Sequence, residues 1–89
     1  MTTVVNLHAE RYDVYIGRGS KWGNPFKIAP EMTRPEAIAK YEAWIRRCPH
    51  LMRALPELAG KRLGCFCAPN ICHGDVLVRL VAENVTPSA

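Results

Sequence analysis

The residues best suited to chemistry crowd into one stretch, Leu63-Gly64-Cys65-Phe66-Cys67-Ala68-Pro69-Asn70-Ile71-Cys72-His73-Gly74-Asp75. Three of the four cysteines, a histidine and an aspartate fall between Cys65 and Asp75. Thiolates and imidazoles are the ligands zinc prefers, and a thiolate is also the reactive form of cysteine, so the cluster suits either metal binding or thiol chemistry. In an extended reading of Lys61 to Cys67, Cys65 and Cys67 share one face with Leu63, and Phe66 takes the other. Pro69 cannot continue a central ladder, and Asn70 suits the N-cap of an apolar run through Val76, Leu77, Leu80 and Val81. Cys72 and His73 are then expected in the first helical turn, where free N–H groups and the positive dipole end favour a thiolate or an anion. On that placement Cys72 is expected to be the most reactive thiol if no metal is bound.

A second chemical stretch lies upstream, Gly17-Arg18-Gly19-Ser20-Lys21-Trp22-Gly23-Asn24-Pro25-Phe26, with three glycines, two cations, a hydroxyl, an amide and an indole. Glycines let backbone approach a ligand closely, and Arg18 and Lys21 can bind phosphate or carboxylate. Ser20 adds a hydroxyl, Trp22 a stacking face, and Asn24 can pair with a base edge. The combination suits a nucleotide. The alternative is a tight turn in which Trp22 and Phe26 pack on the core and the cations stay in water. No Gly-Lys-Ser/Thr follows four spacer residues, so this is not a Walker loop.

The elements that must position these groups form a small α/β domain. Val4–Leu7, Tyr12–Ile16 and Lys61–Cys67 read as about three strands, and Pro35–Cys48 and Ile71–Asn84 as two main helices packed on the sheet. The first two runs could pair as a hairpin, although no Asn-Gly or Asp-Gly joins them. Thr33 reads as an N-cap, with Pro35 in the first turn and Glu36 completing a capping box. Ile38, Tyr41, Ile45 and Cys48 recur at helical spacing, which makes Cys48 a small buried hydrophobe, inert by burial. Pro49 stops that helix, and Leu51, Leu55 and Leu58 suggest a further short piece broken by Pro56. Residues 1–89 are expected to form one domain, with 1–3 and 85–89 frayed.

A net charge of +4 and a pI near 9.1 suit an anionic ligand without requiring one. No apolar run reaches the roughly 18 residues needed to span a bilayer, and the first residues lack a signal-peptide pattern. The expectation is therefore a cytoplasmic protein with no membrane partner, in which clustered cysteines point to metal or thiol chemistry rather than disulfides.

The two stretches, Gly17 to Phe26 and Leu63 to Pro69 followed by Cys72-His73-Gly74-Asp75-Val76-Leu77, occur here in that order. With both, the chain resembles the domain-of-unknown-function 4326 family, small proteins of bacteriophages and bacteria. Similarity runs from about Val4 to Leu80, and two long motifs in order are far more specific than either alone. Phe66 stands where the family commonly has tryptophan, another aromatic. The resemblance implies a phage or bacterial intracellular setting and supplies no activity.

Three functional expectations follow from the residues. In the first, a nucleotide or nucleic-acid element binds between the two motifs, with Arg18 and Lys21 on phosphate and Trp22 against a base. Ser20 joins that set, Asn24, His73 and Asp75 surround the sugar or base edge, and Cys72, His73 and Asp75 are the catalytic candidates if the protein is an enzyme rather than a sensor. In the second, Cys65, Cys67, Cys72 and His73 hold zinc, although one residue separates the first pair and none the last, unlike usual zinc spacings. In the third, a zinc-stapled protein docks on a host or bacterial partner protein through an aromatic or apolar patch. His8-Ala9-Glu10 matches the His-x-Glu of zinc deaminases, but the downstream cysteines lack that class's Pro-Cys-x-x-Cys.

Overall fold

A computed structural model describes residues 2–26, 32–66 and 72–84. Asn70 and the expected tail at 85–89 lie outside the described residues. Chain order is β1 (Thr3–Asn6), β2 (Val14–Tyr15), α1 (Arg34–Ile45), α2 (Pro49–Ala54), a 3-10 turn (Leu55–Leu58), β3 (Arg62–Cys65) and α3 (His73–Asn84). The expected small α/β domain is present, with its strands in one sheet.

The sheet order is β1-β3-β2, and both outer strands run parallel to β3. Val4 and Val14 both align with Leu63, and Val5 and Tyr15 with Gly64. The expected hairpin between the first two runs is therefore incorrect: they flank β3 and do not pair with each other. Burial explains the arrangement. Leu63, Gly64 and Cys65 are all buried, as the middle strand of a parallel sheet must be, whereas the outer strands keep exposed or half-buried positions.

Parallel outer strands oblige residues 7–13 to return from the end of β1 to the start of β2. Gly64 permits this crossing. A Cβ there would lie 2.6 Å from the Tyr12 ring and 2.9 Å from its Cβ, so only glycine leaves room for Tyr12 against β3. Asp13 then anchors the returning chain. Its N–H donates to the Arg62 carbonyl, and its carboxylate accepts the Arg62 N–H at 2.8 Å.

On the opposite face the core joins Ile16, Leu63 and Cys65 to Tyr41 and Ile45 of α1 and to Val76, Leu77, Leu80 and Val81 of α3. Leu51, Leu55 and Leu58 close one end. The Thr33 hydroxyl accepts the Glu36 N–H, and Pro35 follows in the first turn, as that sequence requires. The helix ends at Ile45, earlier than expected. Cys48 sits in the link to α2, half-buried, its thiol donating to the Trp44 carbonyl at 3.3 Å. It is thus less enclosed than its helical spacing suggests. Among the described residues no helix is long and apolar enough to cross a membrane.

Candidate functional site

The carboxyl ends of β2 and β3 lead directly into the two chemical stretches, and α3 begins beside them. Gly74 allows the close approach of α3. A Cβ on it would come within 2.8 Å of the Ile16 Cδ1 and 2.9 Å of a Val4 methyl. Seating the helix this deeply brings His73 to the sheet, where its Nε2 lies 2.6 Å from the Ile16 carbonyl oxygen. A carbonyl only accepts, so Nε2 carries the hydrogen, and in neutral imidazole Nδ1 is the remaining acceptor. The Tyr41 ring meets His73 edge-on at 5.1 Å.

A cavity of about 550 Å³ opens here. The first stretch contributes Gly17, Arg18, Asn24 and Phe26, the second contributes Cys65, Phe66, Cys72 and His73, and α1 with its entry adds Arg34, Ala37 and Ile38. Residues far apart in sequence thus share one volume. Phe66, Phe26 and Arg34 were not among the expected ligand-contacting residues. Neither Phe66 nor Arg34 had a readable signal: strand alternation sets Phe66 on the face away from Cys65, which lines the same cavity, and Arg34 sits in a helix-capping sequence.

The expected ligands divide on inspection. Arg18 is exposed in the cavity wall, and its side chain makes no ion pair among the described residues. Lys21 instead pairs with Glu57 at 2.6 Å and lies 5.5 Å from the Trp22 ring centre. Trp22 is 1% exposed and belongs to the core, with its backbone carbonyl accepting the Tyr41 hydroxyl at 2.7 Å. Its indole is not in the cavity wall. Burial pushes the Tyr41 hydroxyl well above the usual phenol range, with Cys72 and Cys48 adding to the shift, so Tyr41 stays a neutral donor.

Ser20 and Asn24 serve the loop itself. The Ser20 hydroxyl donates to the Gly17 carbonyl at 2.7 Å. Asn24 accepts the Phe26 N–H at 2.8 Å and donates to the Ala37 carbonyl at 3.4 Å, tying the loop to α1 while lining the cavity. Such local bonds are the turn chemistry these side chains favour.

At the head of α3 the expectation of free N–H groups needs correction. The Cys72 N–H donates to the Asp75 carboxylate at 3.1 Å, the Gly74 N–H to the Cys72 sulfur at 3.3 Å, and the Asp75 N–H to the Cys72 carbonyl. Cys72 and Asp75 therefore form a capping arrangement, which satisfies donors an anion would otherwise use. Asp75 is exposed and outside the cavity wall. The Cys72 sulfur lies 3.2 Å from that of Cys65. Hydrogen bonding to Cys65, then burial, pushes the Cys72 thiol far above the usual range, against a smaller lowering by the Gly74 N–H. Cys72 therefore keeps its proton and is not the activated thiol that its helix-terminal placement suggests.

Of the expected zinc ligands, Cys67 lies outside the described residues. Cys65 and Cys72 face each other, while His73 directs Nε2 to the Ile16 carbonyl. Among the described residues, no three His, Cys, Asp or Glu side chains converge as a metal site.

The chain is 39% identical over 82 residues to an uncharacterized 12.4 kDa protein from the nrdA-td intergenic region of Enterobacteria phage T4. That match covers 88% of this chain and 75% of the phage protein. No solved structure matches. The family described as a domain of unknown function, DUF4326, matches residues 4–83, which contain both β3 and β2, the cavity and all of α1. On that span, and with the phage T4 relative, the chain belongs to the DUF4326 family.

Proposed function

We propose that the chain binds a nucleotide or an exposed nucleic-acid base in the cavity between the Gly17–Phe26 loop and the Cys65–Asp75 stretch. The observation that carries this reading is the shared cavity, about 550 Å³ in volume and lined by both stretches. That volume falls in the range of roughly 300–1,000 Å³ typical of small-molecule sites. Its location adds support, since ligands of parallel α/β sheets bind outside the carboxyl ends of the strands.

Within this reading Arg18 meets the phosphate, its guanidinium matching two oxygens at once. Phe66, which is 57% exposed and lines the cavity, takes the stacking role first expected of Trp22. His73 offers Nδ1 as acceptor for a ligand N–H or hydroxyl, its orientation held by the Ile16 carbonyl. If the bound molecule is also a substrate, the same nitrogen is the group able to take a proton from it.

A thermal-shift titration with nucleoside mono-, di- and triphosphates and short single-stranded oligonucleotides tests the reading. The native chain should gain stability with at least one of them. Arg18→Ala should weaken that ligand about tenfold or more, on the strength of a charged hydrogen bond. Lys21→Ala should leave the affinity unchanged, because Lys21 is not among the residues lining the cavity. No stabilisation of the native chain by any of these ligands at millimolar concentration would reject the proposal.

A second reading rests on the aromatic face of the sheet. Among the described residues Phe66 and Tyr12 are the large exposed apolar side chains, and His8 and Tyr15 contact the Phe66 ring at 5.3 and 6.4 Å between centres. Such a patch suits docking on a host or bacterial protein, with zinc at the cysteine cluster as a staple. Under that reading Phe66→Ala abolishes partner binding and Arg18→Ala is silent. Chelator-washed protein would also retain one zinc per chain.

A further inference from the structure

Cys65 ends β3 and Cys72 immediately precedes α3, so the two sulfurs approach from elements whose backbones are fixed by the sheet and by the helix cap. Cys65 and Cys72 are 1% and 3% exposed, and both line the cavity. Their sulfurs stand 3.2 Å apart. A disulfide bond is about 2.05 Å long, so closure asks each sulfur to move by roughly 0.6 Å, within reach of small side-chain rotations. The Gly74 N–H holds the Cys72 sulfur in place at 3.3 Å.

We propose that Cys65 and Cys72 are a reversible dithiol–disulfide couple in the cavity wall, a covalent site for small disulfides such as oxidised glutathione. The inference does not depend on the nucleotide reading. Attack begins when the Cys65 thiol loses its proton to water. Its thiolate displaces one glutathione thiolate and forms a mixed disulfide. The Cys72 sulfur, after losing its proton to water, then displaces the second glutathione. The chain loses two hydrogens and two electrons, and one oxidised glutathione becomes two reduced molecules. The new bond fastens the end of β3 to the start of α3 and so stiffens the wall formed by Cys65, Phe66, Cys72 and His73.

Peptide mapping of the native chain equilibrated with excess oxidised glutathione at neutral pH tests the proposal. Trypsin leaves Cys65, Cys67 and Cys72 on one peptide between Arg62 and Arg79, and chymotryptic cleavage after Phe66 separates Cys65 from the other two. The expected product joins the two halves through Cys65 and Cys72 by fragment sequencing, leaves Cys48 alkylatable, and reverts with dithiothreitol. Cys72→Ser should instead trap Cys65 as a mixed disulfide with glutathione. Cys65 still free at equilibrium, or joined to Cys67 or Cys48, would overturn the proposal; if Cys72→Ser does not fold, the native-chain map decides alone.

Discussion

At the scale of single residues, hydrogen bonding separates side chains that look alike in sequence. Arg18 and Lys21 are both cations in one glycine-rich loop, yet Glu57 holds Lys21 while Arg18 remains in the cavity wall. Tyr41 and Trp22 show how an apparent ligand becomes scaffold. The Tyr41 hydroxyl donates to the Trp22 carbonyl, both residues being almost wholly buried, and so fixes the loop to α1. Tyr41→Phe preserves volume and strands that carbonyl, so it should cost about 1–3 kcal/mol in urea unfolding. An unchanged unfolding midpoint would show that the carbonyl finds another donor.

Among the elements, the loop from Gly17 to Gly23 is the one most tightly defined by absent side chains. A Cβ on Gly23 would lie 2.8 Å from the Gly17 carbonyl oxygen and 3.3 Å from that of Ser20. These are backbone atoms, which cannot swing aside. Gly23→Ala should therefore open the turn and destabilise the fold by about 1–3 kcal/mol, as overpacking does. A melting temperature equal to that of the native chain would argue against so closed a turn. α3 behaves differently. Its start is set by the Cys72–Asp75 capping contacts, and its position by Gly74 against Ile16 and Val4. One short segment thus determines both the helix start and the place of His73.

For the molecule as a whole, β3 is the organising strand because β1 and β2 bond to it and not to each other. Its partners lie at Thr3–Asn6 and Val14–Tyr15, so the sheet waits on contacts across most of the chain. A fragment ending at Gly60 retains both outer strands and α1 but has nothing for those strands to pair with. It should show no strand signal in circular dichroism and no cooperative unfolding. A sheet spectrum from that fragment would contradict the parallel order. The ion pairs of Glu42 and Glu83 with Arg46 and Arg79 join α1 to α3 at the surface, where screening makes such pairs a small part of stability.

Sequence by itself determined the element types, since these rest on local forces: alternating apolar residues for the strands, helical spacing at Ile38, Tyr41 and Ile45, and the Thr33-Arg34-Pro35-Glu36 cap. It also marked the two stretches that line the cavity, because unusual residue types cluster there. Tertiary structure alone decided strand order, as nothing in residues 7–13 tells a hairpin turn from a crossing until Gly64 provides the space for Tyr12. It likewise decided which polar groups face the cavity. Trp22 and Phe66 have the same stacking chemistry, but the first fills the core and the second lies at the end of β3, a difference of burial that depends on packing between distant segments.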